Sequence, residues 1–131
     1  MTQFQAEDLV RAHYKTGIYI GEFIEERRNA LLIKVLAVEK HPMQGDLHNP
    51  GKTDDVFFHQ RKALSYQEKA NIHTQAVEPY EETVVPNYIE SLKQSVHQLK
   101  EKLNRRETDF NEYALRQLEN LEEQYFKSPN S

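Results

Sequence analysis

Four side chains within one short stretch have the chemistry of metal ligands: His41, Asp46, His48 and His59. Imidazole and carboxylate donors suit zinc or iron, and Asp46-Leu47-His48 sets two of them on one side of an extended segment. Their spacing matches no established ligand motif, and loop histidines are commonly solvated or bonded to backbone. A small metal-binding protein or metal-dependent enzyme is therefore the alternative reading, and no metal, cofactor or catalytic residue is assigned. The same stretch suits recognition better. His41, Gln44, Asp46, His48, Phe58, His59 and Arg61 place polar and aromatic groups among Pro42, Gly45 and Pro50, in a segment with no usable apolar period. A loop that long inside a compact domain is usually functional. These seven residues are the expected partner-binding set, on a face formed by residues 41–50 and 58–62.

Two other arrangements have a chemical reading and a plainer one. His97 sits on a predicted helix and could accept a phosphoryl group, but Gln98 stands where a neighbouring acid would activate it. A solvated surface histidine is the simpler account. Arg27-Arg28 and Arg61-Lys62 could form an anion patch, yet Glu25-Glu26 and Asp54-Asp55 cancel much of that field.

The elements that must position these residues fall into two halves. In the first, Val10, Ala12 and Tyr14 alternate with Arg11 and His13 as a strand with one wet face. Lys15-Thr16-Gly17 follows as a turn, with the glycine expected to supply a positive φ. Residues 18–24 form a second strand in which Gly21 suits a bulge or sharp bend. Residues 25–29 make a charged turn, and 31–38, nearly all apolar, make the most buried strand. Short strands are further expected at 56–58, 62–66 and 75–80. Several short strands with no amphipathic helix between them predict a small, strongly twisted antiparallel barrel.

After Pro86 the period changes. Tyr88, Leu92, Val96, Leu99 and Leu103 line one face of a helix capped by Asn87 with Glu90. Phe110, Ala114, Leu118, Leu121 and Tyr125 line a second, opened by Asp109 with Glu112. The short connector between them makes the two helices antiparallel neighbours. The expected organisation is α+β: a small antiparallel β-barrel over 1–86 and a C-terminal helical hairpin over 87–131, packed on it. The width of the helical stripes leaves room for a partner helix or a second copy of the chain.

Composition narrows the function classes. Apolar residues are 37% of 131, enough for a core, and the net charge is only −4. A pI near 5.9 argues against a protein that lives on nucleic-acid phosphates. The absence of cysteine removes disulfides, thiolate metal sites and cysteine nucleophiles. The first residues have no basic and apolar regions of a secretory signal, and no apolar run reaches the roughly 20 residues of a membrane span. A cytoplasmic protein without membrane insertion is the expectation.

Several blocks together resemble a known family. Val10-x-Ala12-x-Tyr14-x-Thr16-Gly17-x-Tyr19-x-Gly21-Glu22, Lys34-Val35-x-Ala37-Val38, His41-Pro42-x-Gln44-Gly45-Asp46-Leu47-His48 and Phe58-His59-x-Arg61-Lys62-Ala63-Leu64 are similar to the kinase-associated protein B family of spore-forming bacilli. Pro86-x-Tyr88-x-x-Ser91-Leu92 and Leu118-x-x-Leu121-Glu122-x-x-Tyr125-Phe126 continue the resemblance through the tail. It implies an SH3-like β-barrel followed by helices. It also implies a non-enzymatic regulatory role supporting a sensor histidine kinase of the sporulation phosphorelay, which would draw the protein to the inner membrane face. Some members are described as lipoproteins; this sequence has no cysteine to carry a thioether-linked lipid.

Overall fold

The computed structural model describes residues 3–45 and 60–126. They form a five-stranded antiparallel sheet and two α-helices, an α+β arrangement. The strands are β1 (Leu9–Tyr14), β2 (Gly17–Arg27), β3 (Ala30–Lys40), β4 (Lys69–His73) and β5 (Val77–Pro79), ordered β4-β3-β2-β1-β5. The helices are α1 (Tyr88–Asn104) and α2 (Asp109–Phe126). Compact packing divides the chain into Met1–Pro42 with Ala63–Ser95, and Met43–Lys62 with Val96–Ser131, so α1 contributes to both units.

The first unit is built on two tight hairpins. Tyr14 pairs with Gly17 across a two-residue turn in which Lys15 (φ 46°) and Thr16 (φ 69°) hold the left-handed conformation. That geometry matches the twist of paired strands. The positive φ expected of Gly17 therefore falls on its two neighbours. Glycine is needed there for space: a Cβ would meet the Tyr19 hydroxyl at 2.8 Å. The second hairpin joins Arg27 to Ala30 through Arg28 and Asn29 (φ 58°). The charged residues 25–27, expected in a turn, extend β2 instead.

Gly21 fulfils its expectation. The β2–β3 register shifts between Ile20 and Gly21, leaving Leu36 as the extra residue on β3. A Cβ on Gly21 would lie 2.5 Å from the Lys34 carbonyl oxygen, a backbone atom that cannot swing aside. The bulge bends the sheet. On its inner face Val10, Ala12, Phe23, Leu31, Ile33, Ala70 and Ile72 pack as one core. The bending does not close the sheet into the expected barrel: among the described residues β4 and β5 are its edges.

Residues 62–66, expected as a strand, are irregular. Their backbone is satisfied by side chains rather than a ladder: the Leu64 N–H donates to the Tyr19 hydroxyl at 3.3 Å, and the Tyr88 hydroxyl donates to the Leu64 carbonyl at 2.6 Å. The strand lies further on, as β4. The segment 75–80 begins as a short 3₁₀ turn over Thr74–Ala76 before β5. The strand expected at 56–58 lies outside the described residues.

Asn87 caps α1 as expected, its Oδ1 accepting from the Glu90 N–H at 3.2 Å. At the start of α2 the cap is Thr108, whose hydroxyl accepts from the Asn111 N–H at 3.0 Å; Asp109 is the first helical residue. In the first unit α1 meets β3 where Ser91 Oγ accepts from the Val38 N–H at 3.0 Å, next to a second register shift. In the second unit Leu99, Leu118 and Leu121 are buried, and Lys100 pairs with Glu122 at 2.6 Å. The Asn111 amide donates to the Leu103 carbonyl at 3.1 Å, satisfying one of the orphan acceptors at the end of α1.

Candidate functional site

Beyond Lys40 the chain leaves the sheet and immediately buries a histidine. His41 is 1% exposed, with Nδ1 2.9 Å from the Pro42 carbonyl oxygen. A carbonyl can only accept, so Nδ1 carries the proton of the neutral ring. Burial pushes this imidazole below its ordinary pKa of 6.5, and the bond to Pro42 opposes that only in part.

Three residues later Gln44, 3% exposed, performs a backbone task with a side chain. Its Oε1 accepts from the Arg61 N–H and its Nε2 donates to the Arg61 carbonyl, both at 2.9 Å. One amide thus imitates a ladder pair and ties two points 17 residues apart. Arg61 returns the contact, its Nε donating to the Gly45 carbonyl at 3.1 Å. Gly45 has φ 103°, a conformation open to glycine and strained for other residues.

The returning side of this stem, residues 60–62, is tied to α2. Gln60 Nε2 donates to the Gln117 carbonyl at 3.2 Å and to Asn120 Oδ1 at 2.9 Å. Lys62 Nζ lies 5.9 Å from the centre of the Tyr125 ring, within cation–π range. The result is a hydrogen-bonded group that joins residues 44–45 to residues 60–61 and ties Gln60 to α2.

Of the seven predicted site residues, His41, Gln44 and Arg61 are placed, and Gln44 and Arg61 meet directly. Asp46, His48, Phe58 and His59 lie outside the described residues, and with them three of the four candidate metal ligands. Gln60 was absent from the predicted set; its only sequence signal is its place beside Arg61.

The two remaining arrangements have simple surroundings. His97 Nε2 is 3.1 Å from Glu101 on the exposed surface of α1, so the carboxylate sought at the next residue stands one turn away. Exposed pairs of this kind contribute little to stability. Arg27 is 3.5 Å from Glu25, in keeping with a locally cancelled charge.

The stem, the bulge at Gly21 and the two helices can be set beside known proteins. Residues 14–126 match the family model described as kinase associated protein B. The chain belongs to that family. Kinase-associated lipoprotein B of Bacillus subtilis (strain 168) is 44% identical over 98% of this chain and 100% of its own length. The crystal structure of kinase-associated protein B from Bacillus cereus, 34% identical, covers 94% of this chain and 98% of that one with a TM-score of 0.79. The fold is therefore the family's fold. No helix among the described residues is long and apolar enough to cross a membrane.

Proposed function

We propose that this chain is a non-enzymatic regulatory protein that binds a sensor histidine kinase of the sporulation phosphorelay on the cytoplasmic side and supports its activity. The observation that carries the reading is the match, over residues 14–126, to a family whose name is association with a kinase. The stem offers the means. The recognition face is assigned to residues 41–50 and 58–62, within which Gln44 and Arg61 are joined by two hydrogen bonds. His41 and Gln44 are buried, so direct contact with a partner falls to the other residues of the set.

A binding protein changes a kinase only if it prefers one of its conformations, since equal affinity for two states shifts neither. The test combines the full chain with the soluble dimerisation and catalytic domains of candidate kinases and radiolabelled ATP. The expected result is complex formation and an altered autophosphorylation rate, with no label on this protein. His48→Ala with His59→Ala should remove both effects while the far-ultraviolet circular dichroism stays native. Label on this protein that disappears in His97→Gln would replace the contact model by phosphotransfer. Native binding by the double variant would remove the face assigned to residues 41–50 and 58–62.

A further inference from the structure

Three consecutive residues on the returning side of the stem bond alternately. Gln60 and Lys62 reach α2, and Arg61 between them bonds to Gln44 and Gly45. All of these residues lie in the second unit. On α2 the contacts fall on successive turns, at Gln117, at Asn120 and then at Tyr125.

Asn120 is the junction. Its Oδ1 accepts from Gln60 Nε2 at 2.9 Å and from Gln124 Nε2 at 2.8 Å. An amide oxygen has two lone pairs, so both are used. Gln124 stands four residues along the helix, the spacing at which side chains meet on a helix surface. It therefore holds the Asn120 amide in the orientation that presents its oxygen to Gln60. Gln60 Nε2 also donates to the Gln117 carbonyl at 3.2 Å, using the second lone pair of a helical carbonyl. One side chain from outside the helix is thus caught between two acceptors three residues apart.

Gln60, Asn120 and Gln124 are all exposed, so these bonds add little to the stability of the whole chain. Their consequence is local, because they set where the chain stands one residue before Arg61. We propose that Asn120 is a positioning residue for Arg61: oriented by Gln124, its amide oxygen seats Gln60 on α2 and so places the Arg61 backbone for its pairing with Gln44. The inference rests on the reading that residues 41–50 and 58–62 meet the kinase, and it gives α2 a part in that contact through Gln60.

Amide hydrogen exchange of the full chain, followed by nuclear magnetic resonance, tests the placement without any partner. Asn120→Ala removes the acceptor, and alanine is the stronger helix former, so α2 is not weakened. The Arg61 N–H should exchange about two- to tenfold faster in this variant, the factor that one hydrogen bond is worth. Asn120→Asp keeps an acceptor for Gln60 and Gln124 and should restore the wild-type rate. Glu119→Ala, at an exposed neighbour on the same helix, should change nothing. The amides of β2 and β3 should exchange alike in all four proteins, which separates placement from a general loosening of the fold. Affinity for the soluble kinase domains should follow the same order, several-fold weaker for Asn120→Ala and near wild type for Asn120→Asp. An Arg61 rate indifferent to Asn120→Ala overturns the proposal, and so does an acceleration that Asn120→Asp fails to reverse. Faster exchange in Asn120→Ala with unchanged kinase affinity also overturns it, because the placement would not serve binding. Should the wild type bind no kinase domain, the reading of the function fails, and the exchange rates still decide whether Asn120 places Arg61.

Discussion

Ile33 and Gln44 are both almost completely buried, yet they are buried for opposite reasons. Ile33 lies in a core made of Val10, Ala12, Phe23, Leu31, Ala70 and Ile72, where every neighbour is apolar and stabilisation grows with the area removed from water. Gln44 removes little apolar area. Its burial is tolerated because both amide atoms find a backbone partner on Arg61. The core is therefore forgiving of chemistry and strict about volume, whereas the stem is strict about which atom donates and which accepts. A fold can drift through conservative changes in the first region; the second holds one particular path of the chain.

The largest effect should come from the core. Ile33→Ala removes buried methyl groups from a site walled by four strands, and the expected loss is about 2–5 kcal/mol in urea or guanidinium unfolding. Ile33→Val at the same site should lose about 0.5–1.5 kcal/mol, because it keeps most of the volume. A loss below about 1 kcal/mol for the alanine variant would mean that the core repacks freely, and the contrast with the stem would weaken.

The stem should respond to hydrogen-bond polarity in a way the core does not. Gln44→Ala leaves the Arg61 N–H and carbonyl without their partner, with an expected loss of about 1–3 kcal/mol. Gln44→Glu is the sharper variant. It preserves size and the acceptor for the Arg61 N–H, but at neutral pH it sets a carboxylate oxygen against the Arg61 carbonyl. It should be at least as destabilising as alanine, and the difference should shrink as the carboxylate is protonated. Equal stability of wild type and the glutamate variant would show that the amide pair does not hold the stem.

This division also explains which parts of the structure were legible in the sequence. The helical stripes were plain because Leu92, Val96, Leu99, Leu118 and Leu121 follow the helical period and are buried. The bulge at Gly21 and the long β3 were plain for similar local reasons. β4 escaped notice because Lys-Ala-Asn-Ile-His is weak in strand formers, although its Ala70 and Ile72 do alternate into the core. The segment 62–66 looked like a strand, but its Leu64 backbone bonds to two tyrosine hydroxyls and its Ser65 N–H to the Glu68 side chain, and such side-chain pairing has no period. The same holds for the stem. His41, Gln44 and Arg61 drew attention through their types and their unusual neighbourhood, but the bond from Gln44 to a backbone 17 residues away leaves no local signature.

The smallest effect, and the one that separates the two regions by pH, concerns His41. Its imidazole pKa is lowered from 6.5 by burial, so the folded protein holds fewer protons than the unfolded chain below that value. Stability from keeping His41 neutral is fully present above about pH 6.5 and declines as pH falls through that value toward the lower folded pKa. The apolar core has no titrating group to follow in that window. Glu78, held below its ordinary 4.5 by its bonds to Arg11 and then His13, acts at lower pH: its contribution is present above about 4.5 and is lost as pH falls below it. The chain has five other histidines, so the comparison of wild type with His41→Gln between pH 7.5 and 5 is what isolates this one. Wild type should lose stability on acidification, and His41→Gln should show a flatter dependence even if its stability at pH 7.5 is lower. The same pH slope in both proteins would mean that His41 titrates as it does in the unfolded chain, and that its burial beside Pro42 does not set the pH dependence.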